Sequence, residues 1–375
     1  MPICVHLCPQ PFVKILHVYK DYFPIVGGIE NHVRALAEGL ARRGHEVAVL
    51  VCHPERRTEV EMLNGVRVIR AARAGTIAST PLSWDLPSLL ARERPDITHL
   101  QFPYPLGEVS HWLRGHGRTV ISYQSDVVRQ KIIGAFYKPI LRWGLRRADA
   151  ILVTSPNYVV SSPELVRLAN RCFVLPIGVD VERFAAPPRT RPDRPTLLFM
   201  GRHRYYKGLG DLIKAMPEIN ADLIVGGDGP MRAAWEAAAN ALGLIASGQV
   251  RFIGSVSDDD LPALYRSVDI FVLPASARSE AFGIVLIEAM AAGLPCVTTE
   301  LGTGTSYAVQ DGVTGFVVPA RTPPALAEAL NRLAADDSLR ERMGAAGQAR
   351  ARREFQLDAM VDRVEAVYNY ALNKT

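Results

Sequence analysis

The chain has 375 residues, enough for two ordinary domains that each bury a hydrophobic core. Its net charge of +5 is uneven, because residues 1–183 carry 23 basic and 16 acidic side chains while residues 184–375 carry 20 and 22. The basic half predicts an anionic partner: nucleic acid, membrane phospholipid or a pyrophosphate-linked acceptor. Five scattered cysteines without paired zinc spacing favour a reduced, cytoplasmic compartment over a disulfide framework. The first residues lack the pattern of a signal peptide, and no apolar run approaches the roughly 18 residues that span a bilayer.

The first half alternates short apolar strands with amphipathic helices, which is the pattern of a parallel α/β sheet. Strands are predicted at residues 14–19, 46–52, 66–71, 97–101, 119–123, 150–154 and 172–175. Between the first two, a helix is predicted over residues 29–43, because its apolar side chains recur on one face and Gly44 follows them.

The second half repeats this pattern after a proline-rich segment. Residues 185–195 contain four prolines and little apolar bulk, so we predict a linker there. Strands are then predicted at residues 196–201, 221–226, 250–253, 270–273, 296–299 and 315–318. The chain is therefore expected to form two doubly wound α/β domains, the first over residues 1–184 and the second over residues 196–356.

Doubly wound sheets often bind dinucleotides, so a dehydrogenase is the first enzyme class to test. The dinucleotide fingerprint needs a glycine-rich turn directly after the first strand and an acidic residue closing the second. Gly27-Gly28 lies eight residues beyond Tyr19, and the second strand ends at Cys52-His53. Both requirements fail, which excludes that fingerprint.

Two glutamates, Glu280 and Glu288, stand eight positions apart across a predicted loop-to-helix junction. A buried strand at residues 270–273 precedes them, and a helix is predicted over residues 283–292, ended by Gly293. The free N–H groups of the first helical turn form an anion site, and the spacing puts Glu288 near the line of Glu280 along the helix axis. A nucleotide-sugar fits this layout, with Glu280 on sugar hydroxyls, the diphosphate on the amides and Glu288 on ribose hydroxyls.

In these features the chain resembles the retaining glycosyltransferases of family four, which have the GT-B fold. Glu280 and Glu288 match the Glu-x7-Glu motif of that family. Four further motifs stand in the family's order and spread the resemblance over nearly the whole chain: Gly27-Gly28-Ile29-Glu30, Gly44-His45-Glu46-Val47, Gly201-Arg202 with Lys207-Gly208, and Gly226-Gly227-Asp228-Gly229-Pro230. The resemblance implies an α/β protein with two doubly wound, Rossmann-like domains that face each other across a cleft.

The resemblance also implies a separate role for each domain. The first, residues 1–184, is implied to be the acceptor side, and the second, residues 196–356, to bind the nucleotide-sugar. A C-terminal helix at residues 357–375 is implied to pack back on the first domain, which makes that domain discontinuous.

Most donor contacts are assigned by the resemblance to the second domain. Arg202 and Lys207 take the diphosphate, since arginine holds two phosphate oxygens and lysine supplies a mobile charge, whereas Arg204 is expected at the surface. Glu280 takes the sugar and Glu288 the ribose. Backbone groups complete the predicted site: Phe282, Gly283 and Ile284 at the helix start, Gly254 and Val256 at the base, and Gly28 from the first domain. For Gly28 a plain tight turn is the alternative.

The sequence departs from the family at Gln124. The segment around it closely resembles a family segment in which histidine precedes Ser-Asp, whereas here Gln124 precedes Ser125-Asp126. In relatives that histidine contacts the donor sugar near the reacting centre, so Gln124 is a candidate catalytic residue and Asp126 a candidate donor contact. Glutamine donates and accepts hydrogen bonds but takes no proton near neutral pH. Three explanations stay open: glutamine is tolerated, it was engineered, or catalysis is naturally weakened.

A basic and aromatic segment over residues 127–148 is the candidate membrane surface. It carries six basic residues, no acidic residue and several interleaved aromatic side chains. The basic residues are Arg129, Lys131, Lys138, Arg142, Arg146 and Arg147. Anionic lipid attracts such surfaces, and the alternative is a solvated helix whose apolar side faces the domain core. Nucleic acid is disfavoured because no recognition module accompanies the charge.

Together these patterns favour a retaining, metal-independent glycosyltransferase with a nucleotide-sugar donor and a glycan or lipid-linked acceptor. We expect no metal or other cofactor, because no Asp-x-Asp is predicted where it would hold a divalent ion. Residues 300–307 resemble a segment of mannosyltransferases that build bacterial surface polysaccharides, which favours GDP-mannose. The alternative is a catalytically weakened or silent sugar-nucleotide-binding protein of the same fold. Gln124 keeps this alternative open because it stands where relatives have histidine. The expected location is the cytoplasm, peripheral to the inner face of the cell membrane.

Overall fold

The computed structural model describes residues 12–25, 27–77, 80–124, 131–185 and 194–374, without the side chains of residues 131–136. These residues form two compact units. The first contains the described residues up to Thr154, Ser162–Gly178 and the residues from Leu357 onward, and the second contains Ser155–Ser161 and the described part of Val179–Gln356. In the described ranges, no helix combines the length and apolar character needed to cross a bilayer.

The first unit is built on a mainly parallel sheet. Its strands are β1 (Lys14–Val18), β2 (Glu46–Cys52), β3 (Glu59–Leu63), β4 (Val66–Ala71), β5 (Gly75–Ile77), β6 (Thr80–Leu82), β7 (Ile97–Phe102), β8 (Arg118–Tyr123), β9 (Ala150–Val153) and β10 (Cys172–Val174). The sheet order is β10-β9-β8-β7-β1-β2-β4-β3, parallel except where β3 meets β4, and β5 and β6 pair separately. The strand order reverses between β7 and β1, which is where such sheets bind ligands.

Helices of the first unit cover the sheet with their apolar faces. They are α1 (Gly28–Arg42), α2 (Leu86–Arg92), α3 (Pro105–Arg114) and α4 (Lys131–Arg147). In α1, Val33, Leu36 and Leu40 recur at helical spacing and are fully buried. The predicted strands and the α1 helix are therefore present, with ends shifted by at most two residues.

The sequence analysis missed the antiparallel strand β3 and the short pair β5–β6. Asn64 and Gly65 form the turn into β4 with φ angles of 49° and 82°, the conformation that a two-residue hairpin requires. β3 escaped notice because it lies at the sheet edge and leaves Val60 and Met62 exposed, so it lacks the apolar pattern of a core strand.

The second unit is also doubly wound. Its helices are α5 (Pro156–Ser161), α6 (Val181–Phe184), α7 (Leu209–Ala215), α8 (Arg232–Ala241), α9 (Leu261–Arg266), α10 (Ile284–Ala291), α11 (Thr305–Ala308), α12 (Pro323–Ala335) and α13 (Asp337–Glu354). Its strands are β11 (Thr196–Met200), β12 (Asp222–Gly226), β13 (Val250–Gly254), β14 (Ile270–Leu273), β15 (Cys296–Glu300) and β16 (Gly315–Pro319). They form a parallel sheet in the order β13-β12-β11-β14-β15-β16.

The boundary between the units differs from the predicted one at residue 184. α6 belongs to the second unit, where the ring of Phe184 packs on Tyr265 at 5.5 Å between centroids and Val179 N donates to Phe355 O at 2.8 Å. α5 belongs there too. The apolar periodicity of the sequence could not predict this assignment, because periodicity locates a helix or strand without showing which other elements it packs against. Of the predicted linker, residues 186–193 lie outside the described residues.

The last helix, α14 (Leu357–Leu372), packs on α1 within the first unit. Gly39 permits the close approach, since a Cβ there would lie 2.6 Å from Val361 Cγ2. Arg43 Nη1 lies 2.6 Å from Glu365 Oε2, and His45 Nε2 lies 3.0 Å from Glu365 Oε1. The helix is thus held by both packing and charge.

Candidate functional site

Loops that follow neighbouring strands of the second sheet meet at its carboxyl edge. β11 and β14 are adjacent, and the loops after them carry Lys207 and Glu280 respectively. Open parallel sheets bind ligands beyond the carboxyl ends of their strands. This edge is therefore the candidate site of the second unit.

The loops after β11 and β14 are locked together by their backbones. Gly208 has a φ of 72°, and a Cβ there would lie 1.8 Å from Pro274 O, so the position accepts only glycine. Ser276 N also donates to Tyr206 O at 2.8 Å. These contacts fix Lys207 beside the loop that leads to Glu280.

Lys207 and Glu280 form an ion pair at the centre of this edge. Lys207 Nζ lies 2.7 Å from Glu280 Oε2, and the two side chains are only 12% and 10% exposed. The contact is an electrostatic one without hydrogen-bond angles, since Oε2 has no hydrogen-bond partner among the described residues. The ammonium carries three donors, so it retains capacity for a phosphate oxygen.

Two arginines stand in the same loop. Arg202 is exposed, and Arg204 is half-buried in the same loop. Neither has an ion-pair partner among the residues whose placement is described. The cationic group is therefore wider than the predicted pair of Arg202 and Lys207.

The start of α10 presents free backbone donors. Gly283 precedes the helix with a φ of 79°, and Leu286 N donates to Gly283 O at 2.9 Å. The amide of Leu286 is used in this bond, while the amides of Ile284 and Val285 have no acceptor among the described residues. Phe282 is buried and packs its ring against Phe355. The amide of Ile284, one of the predicted backbone contacts, is therefore left for an anion.

Glu288 lies on α10 and is held by a residue that the motif analysis missed. Tyr265 OH donates to Glu288 Oε2 at 2.7 Å. Burial raises the pKa of Glu288, and the Tyr265 hydrogen bond opposes that shift. Helical spacing does not relate Glu288 to Glu280, because α10 begins at Ile284 and Glu280 lies in the preceding loop. No motif surrounds Tyr265, so sequence offered no indication of this contact.

Residues 300–307 support the loop that carries Glu280. Thr303 Oγ1 donates to Glu280 O at 2.9 Å, and Gly304 N donates to Ala281 O at 2.7 Å. A Cβ on Gly304 would lie 2.4 Å from Phe282 Cδ2, so the segment packs directly on the loop. The segment singled out in the sequence therefore positions the predicted sugar contact.

The predicted base contacts lie after β13. Gly254 has a φ of 73°, and its carbonyl already accepts from Gly227 N at 2.7 Å, so one of its two polar groups is in use. Val256 is half-buried in the following loop. Because its carbonyl is used in this bond, Gly254 supports the loop in which Val256 lies.

An Asp-x-Asp does occur in that loop, at Asp258 and Asp260, which corrects the sequence analysis. Asp260 Oδ2 accepts from Ser257 Oγ at 2.6 Å, and Arg183 donates to the carbonyl of Asp258. Across the described residues, no three His, Cys, Asp or Glu side chains are grouped to hold a metal ion.

In the first unit, Gln124 is buried at the carboxyl end of β8. Its Nε2 donates to Gln101 Oε1 at 2.8 Å, and Gln101 Nε2 lies 3.4 Å from His17 Nδ1. Gln124 Oε1 has no hydrogen-bond partner among the described residues. Gln101 and His17 lie on β7 and β1, so this chain runs across the point where the strand order reverses. Asp126, predicted beside Gln124, lies outside the described residues.

Histidines that adjoin this chain are uncharged at neutral pH. Burial, and then the neighbouring His32, lowers the pKa of His17 to about 3, and burial lowers the pKa of His32 to about 4. Burial also lowers the pKa of His99, whose Nε2 lies 2.8 Å from Ser122 Oγ. The polar groups around Gln124 therefore bind through neutral hydrogen bonds.

Gly28 begins α1, as predicted for a helix start beside a ligand. The adjoining turn is occupied by the side chain of Glu30, since a Cβ on Gly27 would lie 2.2 Å from Glu30 Oε2. Glu30 is buried, with Lys20 Nζ 3.8 Å from its Oε1. A carboxylate at the helix start disfavours a phosphate there and suits a hydroxyl donor.

The predicted basic face lies on α4 and has both an inward and an outward side. Tyr137, Leu141 and Leu145 are buried, as the alternative interpretation expected, whereas Ile140 and Trp143 are 44% and 47% exposed. The basic residues Lys138, Arg142, Arg146 and Arg147 are exposed. Arg142 is neutralised by Glu164, with Nε 2.7 Å from Oε2. Arg129 and the side chain of Lys131 lie outside the described residues.

Two family models match consecutive parts of the chain. The model described as Glycosyltransferase Family 4 matches residues 26–183, and the model described as Glycosyl transferases group 1 matches residues 180–350. The O-antigen chain mannosyltransferase C of Escherichia coli is 35% identical over 371 residues, covering 96% of this chain and 99% of the relative. The D-rhamnosyltransferase WbpZ of Pseudomonas aeruginosa is 35% identical over 355 residues, covering 92% of each chain.

Solved structures match the chain over almost its full length. Sucrose-phosphate synthase from Thermosynechococcus elongatus superposes with a TM-score of 0.77 at 24% identity, covering 95% of this chain and 98% of that one. This likeness confirms the predicted fold, in which two Rossmann-like domains are built in one chain.

Proposed function

Because the chain belongs to the glycosyltransferases of family four, which have the GT-B fold, we propose that it transfers mannose from GDP-mannose to a glycan or lipid-linked acceptor. The transfer retains the anomeric configuration and needs no metal ion. The observation that carries this proposal is the Lys207–Glu280 ion pair, whose side chains are only 12% and 10% exposed. Glu280 stands four residues before Ile284, whose amide has no acceptor among the described residues. This arrangement supplies both a group for sugar hydroxyls and donors for a diphosphate.

Lys207, Arg202 and the start of α10 act on the leaving group. As the bond to the sugar breaks, negative charge grows on the diphosphate, and donors already fixed in place stabilise it without reorganisation. Lys207 is fixed by the Gly208–Pro274 contact and the Glu280 pair, and Ile284 by the helix. These groups supply the positive charge that a divalent ion would otherwise contribute.

Glu280 and Glu288 divide the donor between them. Glu280 accepts hydrogen bonds from sugar hydroxyls, and its pairing with Lys207 links sugar orientation to the phosphate side of the site. Glu288 accepts from ribose hydroxyls, oriented by Tyr265. In the first unit, Gln124 is proposed to accept from a sugar hydroxyl through Oε1, which has no partner among the described residues, and in the second unit the backbone of Val256 binds the base edge.

Support for mannose comes from two sources. The 35% identical relative from Escherichia coli is named as a mannosyltransferase. Residues 300–307, whose sequence resembles mannosyltransferases, pack on the Glu280 loop through Thr303 and Gly304. Sugar selection thus belongs to the loop that this segment holds.

The enzyme is further proposed to act in the cytoplasm at the inner face of the membrane, with α4 as the contact. Trp143 and Ile140 provide apolar contact, and Lys138, Arg146 and Arg147 attract anionic lipid. Sedimentation with vesicles containing phosphatidylglycerol tests this, because binding should weaken in Trp143→Ala and at high salt. Equal recovery with neutral vesicles would reject it.

One experiment separates the enzyme from a silent binding protein. GDP-mannose is incubated with the chain and mannose oligosaccharides, with and without a chelator, while NMR follows the anomeric signals. We expect an α-linked product at an unchanged rate in the chelator. Donor binding by calorimetry without transfer or hydrolysis favours the silent alternative, an inverted product refutes retention, and preference for another nucleotide-sugar refutes the donor.

A further inference from the structure

The first unit contains a cavity of about 310 Å³ outside the residues assigned to the donor. It is lined by Arg56, Ala72, Arg73, Ala74, Trp84 and Asp85. Trp84 is 85% exposed, more than any other large apolar side chain among the described residues. The exposed indole offers a flat apolar face for contact with a ligand, and it stands beside an arginine and an aspartate that can form hydrogen bonds.

The walls of the cavity are held in place before any ligand arrives. Thr58 Oγ1 donates to Asp85 Oδ2 at 2.9 Å and accepts from Ala72 N at 3.1 Å. Arg73 Nε donates to His53 O at 2.9 Å, and its Nη2 lies 3.4 Å from an oxygen of Asp21. A rigid frame lowers the ordering cost of binding.

The chemistry of the lining selects the ligand class. Ala72 and Ala74 have small side chains, and the exposed indole of Trp84 offers an aromatic face that suits the C–H face of a pyranose ring. Arg56 has no ion-pair partner among the described residues and offers donors to hydroxyls, while Asp85 offers acceptors. The Asp85 carboxylate repels a phosphate, and Asp21 already balances Arg73, so a neutral polyhydroxyl ligand fits better than an anion.

The position of the cavity relates it to Gln124. Arg73 follows the carboxyl end of β4, and Gln124 follows the carboxyl end of β8, at the same edge of one sheet. The order β8-β7-β1-β2-β4 separates them by four strand spacings, roughly 19 Å. A short oligosaccharide spans that distance.

We propose that this cavity is a second saccharide subsite, which holds a sugar unit of the acceptor glycan remote from the reacting hydroxyl. The inference rests on the proposed transferase function. It makes the enzyme prefer acceptors long enough to reach from Gln124 to Trp84, and it predicts that shorter acceptors react without help from the cavity.

The test compares Trp84→Ala, Trp84→Phe and Met62→Ala, the last being an exposed apolar residue of the same unit outside the cavity. Transfer from GDP-mannose is measured with methyl α-mannoside and with mannose oligosaccharides of increasing length. We expect Trp84→Ala to raise the KM of long acceptors about tenfold, with no change for methyl α-mannoside or in donor affinity. Trp84→Phe should recover part of the loss, and Met62→Ala should match the parent. Equal KM values for long acceptors in Trp84→Ala and the parent would overturn the proposal.

A second measurement does not depend on catalysis. Mannose oligosaccharides and, separately, inorganic phosphate are titrated without donor, and saturation-transfer NMR follows binding. Oligosaccharide binding that is lost in Trp84→Ala and kept in Met62→Ala supports the subsite even if no transfer is found, so failure of the proposed function is distinguished from failure of this inference. Binding that survives Trp84→Ala, or phosphate binding in place of sugar, contradicts it.

Discussion

The two units place polar groups at the carboxyl edge of a parallel sheet with opposite electrostatics. In the second unit, Lys207 and Glu280 form an ion pair, and Arg202 and Arg204 stand in the same loop as Lys207. In the first unit, Gln124, Gln101 and His17 form a buried chain of neutral groups. The same kind of sheet edge thus supplies charged groups in one unit and uncharged hydrogen-bonding groups in the other.

Because of this difference, the two units should affect rate, donor affinity and pH dependence differently. Fixed charges act on a charged leaving group, so the second unit should govern rate and donor affinity. Neutral hydrogen bonds orient a sugar hydroxyl without titrating, so the chain around Gln124 should contribute little pH dependence between about pH 5 and 8.

Removing the charge of Lys207 should have the largest effect. Lys207→Ala leaves Glu280 buried without a cation and the diphosphate without a donor, so transfer should fall by about a hundredfold or more. Lys214→Ala removes an exposed lysine of the same unit and is the control. Initial rates with GDP-mannose and thermal melting check both variants. Near-normal turnover in Lys207→Ala would remove this residue from the site.

Glu108 is a buried carboxyl group of the first unit whose protonation should change near neutral pH. Burial raises its pKa to about 7, while hydrogen bonds from Tyr137 OH and Tyr104 N oppose that shift. The folded chain then binds a proton more tightly than the unfolded chain, so this group costs stability as pH rises from about 4.5 to 7, by roughly 3 kcal/mol at most. Glu108→Gln should therefore melt progressively higher than the parent as pH rises from 5 to 8. A constant difference in melting temperature across that range would contradict the assignment.

Gln101 should position Gln124 without touching the donor phosphates. Gln101→Leu strands Gln124 Nε2 and His17 Nδ1, so turnover should fall about tenfold while the Kd for GDP stays constant. Leu90→Ala, a buried substitution in α2, controls for general destabilisation. If Gln101→Leu and Leu90→Ala have equal melting temperatures and lose equal turnover, Gln101 has only a structural role.

Gln124 itself tests whether the neutral arrangement is a weakness. Gln124→His introduces an imidazole whose pKa should be lowered by burial, as it is for His17 and His32, so turnover should rise with a new pH dependence between about pH 4 and 8 and an unchanged melting temperature. Rates measured across that range decide the question. A flat or lower profile would show that the site already works with glutamine.

Tyr265→Phe should give the smallest change. The Tyr265 hydrogen bond lowers the pKa of Glu288, so its loss raises that pKa further. Affinity for GDP, measured by calorimetry, should then fall several-fold and begin to decline at a higher pH than in the parent. Tyr370→Phe, an exposed tyrosine of the first unit, is the control. Identical pH curves for the parent and Tyr265→Phe would separate Glu288 from nucleotide binding.

The apolar pattern of the sequence predicted most of the fold, because buried parallel strands consist mainly of apolar residues. β2, β4 and β14 were placed to the residue, since each is a short apolar run between turn residues. The edge strand β3 was missed because edge residues face solvent and need no apolar alternation. The assignment of α6 to the second unit depends on long-range packing that no local pattern encodes.

The sequence predicted those residues of the candidate site that belong to a known motif. It did not predict the residues that orient them through ion pairs or hydrogen bonds. Glu280 and Lys207 were assigned separately, but their ion pair depends on the contact between two loops some 70 residues apart. Tyr265 and Gln101 sit in ordinary apolar segments, so nothing in the sequence marks them as partners of Glu288 and Gln124. Motifs report ligand contacts, whereas the residues that orient them need only shape and a hydrogen bond.

The return of α14 to the first unit has a consequence for synthesis. Val361 and Glu365, which pack on α1, are made only after every residue of the second unit. At translation rates of about 5–20 residues per second, the first unit waits on the order of ten seconds or more with the face around Gly39 uncovered. The unit that begins at the amino end is therefore the later one to be completed on the ribosome, and a stop codon before residue 357 would damage the half of the molecule that was synthesised first.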